Sequence, residues 1–188
     1  MTPQSAPHRL DIVRTEDQPV LTTERLIIRP LRRSDMGPIE LHTGDRRLAS
    51  NTASIPHPLP PGATDAFVTR VMSGAGDETV WALDASPRDM GELVGVVSLK
   101  PLDRAQSEIG YWVAPSLWNT GFASEAVTAL MAVNPLGSRQ IFGSIFQDNP
   151  ASARVLTNAG FDYIGDAETY CVARQAVVPT WTYMRQMA

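Results

Sequence analysis

The succession that most constrains this chain lies between residues 107 and 160, where two strand-like runs alternate with two helical ones. "SEIGYWV" (107–113) has the β-branched and aromatic content of a strand. Pro115 follows closely, removes a backbone donor and stops further pairing. Helical spacing then runs from Phe122 to about Val133 and ends at Asn134-Pro135 and Gly137. "RQIFGSIF" (139–146) reads as a second strand, and "PASARVLTNA" (150–159) as a helix closed by Gly160.

The flanks extend the same mixture. "RLIIRPL" (25–31) reads as a strand, and "RRSDMGPIELHTGD" as a helix with Ser34 or Asp35 at its N-cap and Pro38 in its first turn. A proline-rich crossover follows, then a helix from Thr64 with Phe67, Val68, Val71 and Met72 on one face. "TVWALDA" (79–85) and "GELVGVVSLKPL" (91–102) form a hairpin-like pair, and "FDYIGDAETYCVA" and "TWTYMRQ" give two last strands. The expected fold class is therefore α+β, with a mixed sheet of six or seven strands. Residues 1–20 mix prolines with polar residues and read as a mobile leader pinned by Leu10, Ile12 and Val13. Residues 21–188 read as a single domain, because 188 residues with 43% apolar content suffice for one core.

Charge and cysteine content narrow the function. A net charge of −4 without a long basic run argues against a nucleic-acid footprint, though not against one small anion site. Cys171 is the only cysteine, and no signal-peptide pattern opens the chain, so a reducing, cytoplasmic setting is expected. No apolar run approaches the ~20 residues a membrane-spanning helix needs. One cysteine and three scattered histidines (His8, His42, His57) make no metal motif, so no metal is expected.

The chemistry concentrates in "WNTGFASEA" (118–126). A helix start leaves four N–H groups without internal partners and carries about half a positive charge, so it can hold an anion without a lysine or arginine. Gly121 permits a sharp turn and close approach to a ligand, and Ala123 leaves access open. Taken alone, the stretch is better explained as a helix capped by Asn119 or Thr120.

Its surroundings change that balance. Trp118-Asn119-Thr120-Gly121-Phe122-Ala123, followed by Ser124, Glu125 and Ala126, resembles the pyrophosphate loop of the GNAT superfamily of N-acetyltransferases. "EIGYWV" before it, "NPASARVLTNAGF" after it, and "TERLIIRPL" and "PHPLP" upstream resemble the superfamily's RimJ/RimL-type, ribosomal-protein-acetylating branch. Asn119 and Thr120 depart from the branch, which places glycine and a basic residue or glutamine there, so the loop brings no cation.

The resemblance implies a mostly antiparallel sheet splayed in its middle and flanked by about four helices. It also implies an acetyl-CoA-dependent N-acetyltransferase that acts on a primary amine, either a protein N-terminus or a small molecule, as monomer or homodimer. Acetyl-CoA would lie between strands ending near Val113 and Phe146. Its pyrophosphate would meet the amides of Asn119, Thr120, Gly121, Phe122 and Ala123, with Ser124 adjacent and Trp118 leading in. Its pantetheine would run beside Tyr111, Trp112 and Val113. Asn149 would contact the pantetheine, although Asn-Pro is also a helix start on structural grounds alone. Ser152 would face the sulfur and donate to the departing thiolate.

Glu108 is the first choice of base, since alternation with Gly110 aims it at the cleft; the alternative is an exposed strand-end carboxylate. Asp148 and Glu92 rank behind it. His57, between two prolines, is expected to shape the acceptor mouth or to lie on the surface. A non-catalytic acyl-CoA-binding module with the same fold is the competing reading.

Overall fold

The computed structural model describes residues 11–14 and 18–187. Its strands are β1 (Asp11–Arg14), β2 (Pro19–Thr22), β3 (Ile27–Pro30), β4 (Thr79–Asp84), β5 (Gly95–Leu102), β6 (Gln106–Val113), β7 (Gln140–Phe146), β8 (Asp162–Cys171) and β9 (Ala176–Gln186). The helices are α1 (Met36–Thr43), α2 (Arg46–Ala49), α3 (Ala63–Met72), α4 (Phe122–Val133) and α5 (Pro150–Asn158). All nine strands join one sheet in the order β1-β2-β3-β4-β5-β6-β7-β9-β8, antiparallel throughout except between β6 and β7. The sheet is two strands longer than the sequence suggests. Of the additions, β1 falls in the stretch read as a leader and β2 straddles its end, and both are too short to show a period. Leu10, the first of the expected pins, lies outside the described residues.

β4 explains why the middle of the sheet was legible. Trp81 and Leu83 point into the core beneath α4, with Val97, Leu99 and Phe122, while Val80 and Ala82 point into a second core with Ile39 and Val68. A strand covered on both faces reads as a continuous apolar run, and "VWAL" is one. Helices therefore cover the sheet on both sides, α4 and α5 on one face and α1 and α3 on the other.

The β6–β7 contact positions the site. Parallel pairing joins Gln106 to Gln140, Ser107 to Ile141 and Glu108 to Phe142, and then stops. Each strand keeps its other neighbour along its length: β6 pairs with β5 from Gln106 to Val113, and β7 with β9 from Gln140 to Phe146. The sheet is thus two firm halves that part beyond Glu108, and the free edge of β6 faces a gap. Gly143 lets α5 settle on β7, because a Cβ there would stand 2.7 Å from Leu156 Cδ1 and 3.3 Å from Ile109 Cγ2.

A buried charge cluster ties β3 to β4 and α1. Arg29, Asp35 and Asp84 are all under 5% exposed. Arg29 donates from Nε to Asp84 (2.8 Å), and from Nη1 and Nη2 to Asp35 (both 2.9 Å). Nη1 also reaches the Pro30 carbonyl and Nη2 the Glu92 carbonyl, so the planar fork is fully used. Burial works against its charge, yet the bonds to Asp35 and Asp84 hold the guanidinium protonated more firmly than usual.

Candidate active site

The chain leaves β6 through Ala114, whose N–H bonds the Val94 carbonyl, and turns over Pro115–Leu117. Trp118 Nε1 donates to the Val113 carbonyl at 2.8 Å and pins the loop to the strand end. Thr120 Oγ1 donates back to the Leu117 carbonyl at 2.6 Å. Asn119 and Gly121 both take positive φ, 61° and 86°, and Gly121 is the N-cap of α4. Neither Asn119 nor Thr120 caps the helix with its side chain. The N–H groups of Phe122, Ala123 and Ser124 therefore have no partner among the described residues. An uncapped start of this kind leaves donors that can receive an anion, although α3 also starts uncapped at Gly62, so it is the cavity in front of α4 that sets this start apart.

The loop is braced from behind. Arg25 donates from Nε to Glu125 (2.6 Å) and from Nη1 to the Thr120 carbonyl (2.7 Å), with its guanidinium 4.6 Å from the Phe122 ring centroid. Thr23 Oγ1 and the Arg25 N–H hold the other oxygen of Glu125. Burial opposes ionisation of Glu125, but these bonds keep its carboxyl below the ordinary value. A Cβ on Gly121 would meet Arg25 Nη2 at 3.2 Å, so a larger residue there strains the loop from the side of the brace.

A cavity of about 430 Å³ opens between the free edge of β6, this loop and α5. Of the residues the sequence assigns to the cofactor, Tyr111, Trp112, Val113, Trp118, Asn119, Gly121, Phe122, Ala123, Ser124, Asn149 and Ser152 line it, and Thr120 does not. Asn149 caps α5 by accepting from the Ser152 N–H at 3.2 Å. Arg154 also lines this cavity, and its guanidinium has no partner among the described residues. The sequence reading passed over it, although Ala151, Arg154, Val155 and Asn158 fall at the i, i+3, i+4, i+7 spacing of one helical face. Asn51 and Thr52 were missed too, and their irregular segment carries no period that could announce them.

A second cavity, about 600 Å³, lies across the sheet edge, between α1, α3, residues 51–59 and the outer face of β4 to β6. The two cavities share Asn51, Thr52, Tyr111, Trp112 and Ser152. At that junction Ser152 Oγ donates to the Tyr111 hydroxyl at 2.9 Å, and the hydroxyl donates to the Ser152 carbonyl at 2.9 Å. Burial raises the Tyr111 phenol well above its usual range, so it stays neutral at physiological pH.

Glu108 lines the second cavity at the root of the splay, opposite Lys100 on β5. Lys100 is itself bonded to Asp77 at 2.6 Å, which leaves Glu108 without an ion pair among the described residues. Strand rise puts Glu108 roughly 10 Å along β6 from Tyr111. Asp148 is bound to Arg174 at 2.6 Å, which holds its carboxyl below the ordinary value, and Glu92 lines neither cavity. His57 lines neither cavity, whereas its neighbours Pro56 and Leu59 line the second, and its Nδ1 is buried without a partner. Among the described residues no group of three or more His, Cys, Asp or Glu is arranged to hold a metal, and no helix is long and apolar enough to cross a membrane.

Comparison with known proteins bears on this arrangement. An uncharacterized N-acetyltransferase of Bacillus subtilis (strain 168), YoaA, is 29% identical over 161 residues, 81% of this chain and 88% of that protein. Among solved structures, RimL, a ribosomal L7/L12 alpha-N-protein acetyltransferase in complex with coenzyme A, superposes with a TM-score of 0.75 at 18% identity, over 87% of this chain and 95% of its own. Spermidine N-acetyltransferase from Vibrio cholerae, in complex with CoA and spermine, gives 0.71 at 16% identity, over 87% and 96%. At such identities the structural likeness speaks for the fold alone. The model of the acetyltransferase (GNAT) domain matches residues 25–162, from the Arg25 brace to the first residue of β8. The chain therefore belongs to the GNAT family of acetyltransferases.

Proposed function

We propose that this acetyltransferase, of the RimJ/RimL-like branch, moves the acetyl group of acetyl-CoA to a primary amine by direct attack in a ternary complex. The acceptor is a protein N-terminus or a small amine. One observation carries the reading: two cavities beside the free end of β6 share Asn51, Thr52, Tyr111, Trp112 and Ser152 in their linings. A donor in one can meet an acceptor in the other without a covalent enzyme intermediate.

The unpartnered amides at the start of α4 receive the pyrophosphate, and Arg154 supplies from α5 the cation that the loop lacks. The pantetheine lies along the free edge of β6 as an added strand would. The amine must be neutral to attack, and Glu108 takes its proton through water, given the ~10 Å along the strand. A β6 N–H at 111–113 faces the tetrahedral oxygen. As the carbon–sulfur bond breaks, Ser152 Oγ gives its proton to the thiolate while the Tyr111 O–H turns from the Ser152 carbonyl to steady Oγ. The second proton shed by the nitrogen returns through water to Ser152, and the first passes from Glu108 to solvent, so that amide, thiol and a neutral Ser152 remain.

The test is release of free thiol from acetyl-CoA in the presence of a panel of peptides and small amines, with acetylated products identified by mass. Acceptor-dependent release is expected. Tight acetyl-CoA binding with no release for any amine would favour the non-catalytic module instead.

A further inference from the structure

The segment that lines both cavities is tied to α2 by turn bonds, from the N–H groups of Ser50, Asn51 and Thr52 to the carbonyls of Arg46, Leu48 and Ala49, and Ala53 has no such bond. Asn51 and Thr52, which line both cavities, follow α2 in an irregular stretch. Three bonds reach that stretch from the far end of the chain, at the tip of the β8–β9 hairpin. Cys171 Sγ donates to the Thr52 carbonyl at 3.2 Å, the Val172 N–H to the Ala53 carbonyl at 2.9 Å, and Arg174 Nε to the Ser50 carbonyl at 2.7 Å.

Arg174 does more than reach Ser50. Its Nη1 and Nη2 donate to the two oxygens of Asp148, at 2.6 and 3.2 Å, and its guanidinium carbon lies 4.9 Å from the Phe146 ring centroid. Asp148 immediately precedes Asn149, the cap of the helix that carries Ser152. Phe146 ends β7 and lines the second cavity. A single planar group thus joins this segment, the end of β7 and the start of α5, the three pieces that surround the junction.

We propose that Arg174 is a positioning residue that holds residues 50–53 across the junction, and so sets the opening through which the acceptor amine meets the thioester. The functional consequence rests on the acetyl-transfer reading above. Magnitudes separate this role from simple stabilisation. The Asp148 side chain is 58% exposed and that of Arg174 25%, and ion pairs of such exposure contribute little to stability. The hairpin itself is secured by its ladder from Asp162–Met184 to Cys171–Ala176, which needs no Arg174 side chain. Misplacing groups around a reacting centre by about 1 Å can, by contrast, slow the reaction by about 100-fold. Lysine cannot replace the contact, since a compact ammonium does not span Ser50 and both Asp148 oxygens.

Two readouts on R174A and R174K test the proposal. The first is the labelling rate of Cys171, the only cysteine and fully buried beneath this latch, by a thiol-specific reagent well below the unfolding temperature. The second is the steady-state acceptor kcat/KM beside the acetyl-CoA dissociation constant. R174A is expected to label at least about tenfold faster and to lose about 10- to 100-fold in acceptor kcat/KM, with acetyl-CoA affinity within about threefold and R174K recovering only part of the loss. Unchanged labelling overturns the proposal, as does faster labelling with acceptor kcat/KM within about twofold of the parent. A parent protein that releases no thiol with any amine defeats the transfer reading instead, and the labelling rate still decides whether Arg174 holds the 50–53 segment.

Discussion

At the junction of the two cavities, Tyr111 and Ser152 exchange hydrogen bonds so that neither hydroxyl is left unpaired. Y111F removes the hydroxyl that orients Ser152 Oγ and steadies it as its proton leaves, and kcat is expected to fall by about tenfold or more while the acetyl-CoA dissociation constant stays within about twofold. S152A should lower kcat at least as far. The phenol adds a pH signature. Its folded pKa is raised above the ordinary value of 10.0, so its contribution to stability is complete below about pH 10 and is lost as pH rises toward the folded value. Stability of Y111F, measured by denaturant midpoint, should therefore fall less than that of the parent as pH rises past 10.

Arg154 lines the other cavity, and on the proposed reading R154A should weaken acetyl-CoA binding by about tenfold in calorimetry, as expected when a charge-assisted bond to phosphate is lost. Asn149 and Gly121 were legible from sequence because helix starts leave a chemical mark. Arg154 was legible only as a face of α5, and the Tyr111 hydroxyl was not, because its partner is 41 residues away.

Among the elements, α4, α5 and the parted strands β6 and β7 frame the proposed site. α4 was readable because its period, its preceding glycine and its terminating Asn-Pro all agree, and agreement across levels is what makes a segment legible. The four-residue helix α2 and the strands β1 and β2 were not, since they are shorter than any period they could display. The point where β6 and β7 part was also hidden from composition and spacing, for it depends on which residues pair rather than on what they are. Gly143 tests its geometry. G143A places a Cβ against Leu156 and Ile109 and should destabilise the fold by about 1–3 kcal/mol through overpacking, read as a lower denaturant midpoint with unchanged slope. Because α5 carries Ser152 and Arg154, the same variant should also raise the KM for acetyl-CoA.

For the molecule as a whole, the sheet is one surface with a core on each side, and the Arg29 cluster locks the α1 side to it. R29M leaves Asp35 and Asp84 buried without their cation and should cost about 3–5 kcal/mol in chemical denaturation. Asp84 adds an acid limit. Although burial opposes its ionisation, bonds from Ser86 and Arg29 hold its pKa below the ordinary 3.8, so its contribution is present above about pH 4 and disappears as pH falls through the folded value.

The central claim is that donor and acceptor occupy the two cavities together and react where these meet. Initial velocities measured while acetyl-CoA and an accepted amine are both varied test it most directly. Double-reciprocal lines that intersect are predicted, because attack requires both substrates at once. Parallel lines, with acetyl retained on the protein after mixing with acetyl-CoA alone, would contradict it.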